Sequence, residues 1–441
     1  MTTAPADLAG RPSRAILGRA GGWAGTAVAA WAVAIAAAYV WGRWLQAHGY
    51  RLWQNAPPLT GHIDLRVGLI AFGAVALGVL AVAFGPPLAE RLGWGRLLVL
   101  SFVAAAGWAV ALALVDGPGG LIRSPSNVRD YLHDLPLVGS PVPFLRDFTD
   151  RIGGFTTHVR AHPPGMILLL WGLDGQGLSG PWWVAALEIA GGASATLAAL
   201  VALREVAGPD RARAAAPFLA FVPAAVTLAS SGDALFAGVG GWSVALLVLA
   251  TGREGRRADA LSLSGGLLLG ATIFLSYGLI LLAAIPVAVA LARRRFRPML
   301  LAGAGVWVAV LAFLSAGFWW VEGLLATRLQ YLASVARDRP YFYFVVANLV
   351  AFALVVGPAT VAALLRARPG GAWPLVAGAL VAIALADLSG MSKGEVERIW
   401  LPFVPWVVIA TGELPAAGRR AWMGLTVATA LALQMMVRMP W

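Results

Sequence analysis

VRDYLHDLPLVGSPVPFLRDFTDRIGGFTTHVRAHPPG, residues 128–165, is the longest polar interruption in a chain otherwise made of apolar runs. It carries three of the five His residues and ends on His162-Pro163-Pro164, where a new apolar run begins. The runs on either side are about 17–23 residues long, the length that crosses a ~30 Å hydrocarbon core as helix. The stretch therefore reads as an extramembrane loop held between spans. A chain that meets the bilayer this often satisfies its backbone as helices. The expected fold class is an all-α polytopic membrane protein, a single membrane domain over residues 1–441.

Composition agrees. The chain is 59% hydrophobic and 12% charged, about half the charged fraction of a soluble protein. The net charge of +12 does not point to nucleic acid, because the basic residues form short clips between apolar runs: 253–257, 293–297 and 366–368. Clips of that kind are positive-inside topology signals. With no Cys, neither a disulfide nor a thiol nucleophile is available.

The apolar runs fall at about 22–42, 66–84, 97–115, 164–173, 181–203, 214–230, 234–251, 259–275, 278–292, 299–319, 343–365, 371–387, 399–413 and 421–437. Positive-inside bookkeeping requires an odd number of crossings within 164–203, so the run 164–173 is either short or re-entrant, or the rule is broken once. About 13 spans (12–14) are expected. Residues 1–20 form a cytoplasmic tail. The loops 43–65, 116–163, 320–342 and 388–398 then share the outer face of a cytoplasmic membrane. Within 116–163 two short interfacial helices are expected, at about 126–135 and 142–152, with Leu132, Leu135, Phe144, Leu145 and Phe148 toward the membrane.

All five His, at 48, 62, 133, 158 and 162, lie in the two large outer loops. Topology does not explain this, whereas an outer polar site does. Asp130 and Asp134 stand at i and i+4 on one helical face, suited to a general base at the membrane–water boundary. The run His158-Val-Arg160-Ala-His162-Pro163-Pro164 is expected to be extended, because a residue before Pro avoids the helical region. Alternation then turns His158, Arg160 and His162 to one side, where a phosphate would find two imidazoles, a guanidinium and a helix N-terminus. The same two His could instead ligate a divalent cation; no metal ligand set is assigned. Lys393, Glu395, Glu397 and Arg398 precede a span and suit an anionic headgroup and its orientation. Asp233 stands alone between two spans. Glu188 and Asp387 are carboxylates in or at the end of apolar runs, costly enough to imply pairing or function. The Trp residues lie mostly at span boundaries, as interface belts do.

Several classes are excluded by what is missing. The chain has no Gly-Lys-Ser/Thr phosphate loop, no Gly-x-Ser-x-Gly elbow and no HExxH. Its halves do not mirror each other, which counts against a transporter.

The long outer loop with acidic residues, closing on His162-Pro163-Pro164 at the head of a span, resembles the GT-C class of membrane glycosyltransferases. Arg129-Asp130-Tyr131-Leu132-His133-Asp134-Leu135, Ser231-Gly232-Asp233-Ala-Leu-Phe-Ala-Gly238 and Gly394-Glu395-Val396-Glu397-Arg398-Ile399-Trp400-Leu401-Pro402 are similar to an actinobacterial branch of that class. This branch includes proteins like the methylthioxylose transferase of mycobacterial lipoglycans. The resemblance covers most of the chain from about residue 95. It implies transfer of a sugar from a polyprenyl monophosphate to a hydroxyl of a cell-envelope glycan or glycolipid, by single displacement with inversion. In that class the catalytic carboxylate usually lies in the first outer loop, which here contains Asp64. The loop preceding His-Pro-Pro here is the second, so the role passes to Asp130 if residues 22–84 are an added hairpin, and to Asp64 if they are not. The choice made is Asp130. Arg398, Arg160 and the His pair would hold the leaving phosphate, and a prenyl groove would run near 164–173 and 399–413. The alternatives are a lipid-linked-sugar flippase or transporter, and a non-catalytic membrane partner of an envelope synthase.

Overall fold

The computed structural model describes residues 14–366 and 370–440. Most of the expected tail 1–20, and residues 367–368 of the third basic clip, lie outside them. The chain is an all-α polytopic membrane protein. Among the described residues seven helices are long and apolar enough to cross a membrane, or nine if each of two bent pairs is one span.

The chain opens with α1 (Arg14–Ala47), then α2 (Ala71–Arg91) and α3 (Trp94–Ala113). The long loop holds only short helices: α4 (Tyr131–Asp134), α5 (Pro141–Asp147) and α6 (Thr157–Ala161). After α7 (Gly165–Asp174) come α8 (Pro181–Ala207), α9 (Pro209–Ala220), α10 (Gly232–Thr251), α11 (Gly255–Leu275), α12 (Ala284–Arg293) and α13 (Arg297–Ser315). The last third contains α14 (Trp320–Ala333), α15 (Tyr341–Val356), α16 (Pro358–Arg366), α17 (Trp373–Leu388), α18 (Val396–Ile399), α19 (Val404–Val408) and α20 (Arg419–Met436). The bent pairs are α9 with the 3-10 turn after it, at 58°, and α15 with α16, at 107°. Each break falls beside a proline, Pro223 or Pro358, which removes a donor from the helical ladder.

Helix α10 is the core of the bundle: 78% of its most apolar window is buried, against 11% for α1. It reaches that depth by packing small residues against α8. A Cβ on Gly238 would come to 2.4 Å from the carbonyl oxygen of Gly191, so the two backbones touch where only glycine fits. The bundle has two distinct ends. At one, Glu205 joins Arg253 at 3.1 Å and Arg293 at 3.5 Å, and Glu90 joins Arg419 at 3.3 Å. At the other, β1 (His62–Ile63) pairs antiparallel with β2 (Val437–Arg438), tying the first loop to the end of α20.

Several expectations are corrected. Helix α7 has ten residues, about 15 Å of helix and half the hydrocarbon thickness, so it is too short to cross alone. Its length fits the expectation that the run 164–173 is short or re-entrant. The first loop helix starts at Tyr131 rather than near 126, because the Asp130 side chain caps it there. Phe144, Leu145 and Phe148 do not face lipid. They are buried in the main core, where Phe148 stacks on Phe155 at 5.2 Å and meets Phe318 edge-on at 5.6 Å. The loop is thus packed into the same core as the spans. Residues 157–161 are helical, not extended. Proline restricts only the residue immediately before it, and that residue, His162, is indeed extended at φ −131°, ψ 158°. On a turn of helix His158 and His162 share a face and Arg160 leaves it.

Candidate functional site

Asp130 is the centre of the loop's polar core. Its side chain accepts from the Tyr131 amide at 2.7 Å, capping α4, which satisfies a donor that the helix itself cannot. Its other oxygen accepts from Ser124 Oγ at 3.0 Å and faces His158 Nδ1 at 3.1 Å. Only 2% of Asp130 is exposed. Asp134 is the loop's clamp, accepting the Thr156 amide at 2.6 Å. His162 Nδ1 in turn faces the His158 carbonyl at 2.9 Å. Tyr131 lies between the two imidazoles, its ring centroid 5.9 Å from His158 and 6.0 Å from His162.

Membrane-helix ends supply the other half. Asp233 stands in the first turn of α10, and Ser231 caps that helix by accepting the Asp233 amide at 3.1 Å. Ser231 Oγ also donates to Asp233 Oδ2 at 2.6 Å. Arg398, on α18, donates to Asp233 at 3.0 Å and to Glu395 at 3.2 Å. Glu188 of α8 is 1% exposed, and its Oε2 has no hydrogen-bond partner among the described residues. Its Oε1 approaches Gly232, which in turn abuts Tyr131. Asp130, Glu188, Asp233 and Arg398 all act electrostatically on Tyr131, so the two halves form one buried polar cluster.

A third layer closes it. Arg339 of the 320–342 loop, 7% exposed, reaches Glu395 at 3.6 Å, the Lys393 carbonyl at 2.5 Å and the Leu52 carbonyl at 3.2 Å. Glu397 accepts the Thr60 amide at 2.9 Å. The first loop and the 393–398 loop are therefore clasped together.

Charge states follow from these surroundings. Burial foremost, then Asp130, raises Tyr131 well above the ordinary phenol value, so it serves as a neutral hydroxyl. Burial pushes His162 down to about 4, against the opposing pull of Asp233. Burial alone would raise Glu395, but Arg398 and Arg339 outweigh it and hold the carboxylate ionised. Burial likewise lowers Lys393, with Arg339 adding to the effect. Glu397 is pushed up to about 7, by burial first and with Glu395 adding to it.

Glu397 gives a signed pH dependence. Its pKa is raised on folding, so its contribution is full below its ordinary value of 4.5 and is lost as pH climbs toward 7. His162 acts oppositely, losing stability as pH falls from 6.5 toward 4. Glu397→Gln keeps an oxygen for the Thr60 amide and removes the titration. The variant is expected to gain on wild type by the order of 2–3 kcal/mol between pH 5 and pH 8. Melting temperatures of the purified protein at the two pH values check this; parallel curves would refute it.

Of the residues expected from sequence, Asp130, Asp134, His158, His162, Asp233, Lys393, Glu395, Glu397 and Arg398 come together. Two do not join them through the contacts described. Asp64 is half exposed and pairs with Arg438 at 3.4 Å. Arg160 is held through its carbonyl, which accepts from Thr327 at 3.1 Å. Tyr131, Ser124 and Arg339 were missed. Arg339 had a signal, an Arg beside Pro340 at a helix start, and Tyr131 stood inside the quoted block 129–135; Ser124 had none. No three His, Asp or Glu among the described residues are grouped as a metal site. Two clefts open away from the cluster, one of about 20 Å³ beside Arg66 and Asp116 and one of about 440 Å³ beside Arg253 and Arg294. The groove expected near 164–173 and 399–413 is neither of them. No protein-family model, curated protein or solved structure matches the chain.

Proposed function

We propose that the protein is a GT-C-like glycosyltransferase. It moves a sugar from a polyprenyl monophosphate to a hydroxyl of a cell-envelope glycan or glycolipid, on the outer face of the cytoplasmic membrane. The observation that carries this reading is the buried meeting of an Asp–His pair, Asp130–His158, with a carboxylate-held arginine, Arg398. Acid–base chemistry and anion stabilisation are the two things such a transfer requires.

The roles follow from which atoms are engaged. Both oxygens of Asp130 are occupied, one of them by His158 Nδ1. His158 keeps its Nε2 for an incoming group, and its side chain is 20% exposed against 3% for Asp130. The acceptor hydroxyl gives its proton to Nε2, and Asp130 stabilises the imidazolium and fixes its tautomer. The acceptor oxygen bonds to the sugar's anomeric carbon as the bond to the phosphate oxygen breaks, through an oxocarbenium-like transition state. Arg398 receives the leaving phosphate. The phosphate takes the place of Glu395, the more exposed of the two carboxylates on Arg398, at 28% against 4% for Asp233.

The decisive experiment is transfer from a synthetic polyprenyl-phosphate sugar by purified protein, with glycan composition of a deletion strain beside it. Glu188 favours a second reading. A carboxylate buried within a span can serve proton-coupled transport, so a flippase would move the donor between leaflets without transferring its sugar. A non-catalytic partner would leave the glycan unchanged when Asp130 or Arg398 is substituted.

Thirteen crossings complete the proposal. They are the seven long helices, the two bent pairs, the shorter segments Tyr277–Arg293, Trp373–Leu388 and Leu401–Glu413, and α20, with α7 not crossing. Reporter fusions at residues 140, 330 and 394 are then expected outside, and fusions at 255 and 295 inside. Opposite locations for 140 and 394 would dismantle the site.

A further inference from the structure

Three non-glycine residues among those described take a positive φ: Trp53 at 54°, Arg294 at 54° and Glu395 at 64°. Left-handed backbone is uncommon for residues with a Cβ and is an outlier for a bulky one. It persists only where the surroundings enforce it, and such positions gather at ligand sites. Trp53 and Glu395 lie in the two loops that clasp each other over the polar cluster.

The neighbours of Trp53 enforce its conformation. Leu52 and Gln54 are each 1% exposed, whereas Trp53 is 51% exposed. The Leu52 carbonyl accepts from Arg339 at 3.2 Å, and the Gln54 carbonyl accepts from Gln46 at 2.6 Å. Gln54 Nε2 donates to the Pro58 carbonyl at 3.2 Å and to Thr60 at 3.1 Å. Both flanking residues are thus fixed, by burial and by hydrogen bonds at their carbonyls, and hold the left-handed turn between them with the indole outside. Arg339, which grips Leu52, also reaches Glu395, the partner of Arg398. Trp53 is thus rigidly tied to the cluster that handles the reaction.

A membrane-interface anchor needs no such strain. Trp44, nine residues earlier, is equally exposed at 52% and sits in the regular backbone of α1. We propose that Trp53 is a stacking platform for a pyranose ring of the acceptor glycan, an assignment that rests on the glycosyltransfer reading. A pyranose presents a face of C–H groups that packs on an indole while its hydroxyls stay in water. An exposed, rigid aromatic offers that surface at little entropic cost. Arg51, exposed and 3.8 Å from Asp338, and Asn55, within 3.1 Å of the His62 ring, flank it in the loop and would offer hydroxyl partners.

The test reads binding without turnover. Protein in nanodiscs is titrated with mannotriose and with maltotriose, and saturation transfer to the sugar C–H protons is followed by NMR. Wild type is expected to bind at least one trisaccharide and Trp53→Phe to bind it more weakly. Trp53→Ala and Trp53→Gly should lose about tenfold in affinity. The glycine variant should melt higher than the alanine variant, because glycine adopts positive φ freely. No NMR saturation transfer to either sugar on wild type, unchanged binding in the Ala and Gly variants, or a glycine variant no more stable than the alanine one would each overturn the platform. Trp53-dependent binding with no glycosyl transfer from a polyprenyl-phosphate sugar would sink the glycosyltransfer reading and leave Trp53 a sugar platform without an acceptor role. Transfer and binding both indifferent to Trp53 would do the reverse.

Discussion

Asp130→Asn is expected to be close to inactive, and Asp64→Asn close to normal. The amide can still accept the Tyr131 N–H, so the cap of α4 survives. What changes is the atom facing His158. A carboxylate oxygen 3.1 Å from Nδ1 holds a proton there and leaves Nε2 open as a base; an amide nitrogen in its place favours the opposite tautomer. Loss of a base, or of the group that fixes its tautomer, costs ~100- to 10,000-fold. Asp64 differs in kind. Its side chain is 44% exposed and its ion pair with Arg438 spans 3.4 Å, an interaction worth roughly 0–1 kcal/mol. Turnover of both variants, with melting curves to show that each is folded, decides the matter. Wild-type rates in both would remove the acid–base mechanism and return a binding or transport role to the lead.

Arg398→Lys is expected to reduce turnover by about 100- to 1,000-fold, the range for removing one donor to a developing oxyanion. The two terminal nitrogens of Arg398 hold two different carboxylates, Asp233 at 3.0 Å and Glu395 at 3.2 Å. A lysine ammonium is a single point charge without that fork. It can replace one contact and leaves the other carboxylate short of a donor, at about 1–3 kcal/mol. The variant should therefore melt lower and also turn over more slowly, with the larger deficit in kcat. A stability loss without a kinetic one would make Arg398 a structural clasp.

Part of the site was open to reading before any fold was known. The apolar runs announced membrane-length helices, and of the five His only His158 and His162, in the loop singled out by its polarity, join the cluster. The segment closing on His162-Pro163-Pro164 announced where α7 would start. The pairings themselves were closed. Asp130 and His158 are 28 positions apart, and Asp233 and Arg398 are 165 apart; no spacing rule reaches that far. The short helix at 157–161 was hidden because its ending residue alone is constrained by proline. Once it forms, His158 turns toward Asp130 and Arg160 turns away.

What the amino-acid order determined by itself is which segments can leave water. A helix satisfies its own backbone, so length and hydropathy within one segment suffice. What only the tertiary structure decided is which polar groups meet. That depends on how closely helices approach, as at Gly191 and Gly238, where a backbone contact fixes α10 against α8. It depends equally on a loop core built on Phe148, Phe155 and Phe318. Side chains that hydropathy alone would have turned to lipid packed on one another instead and set the loop that carries Asp130 and His158, while the pairing of the first loop with the end of α20 held Asp64 against Arg438.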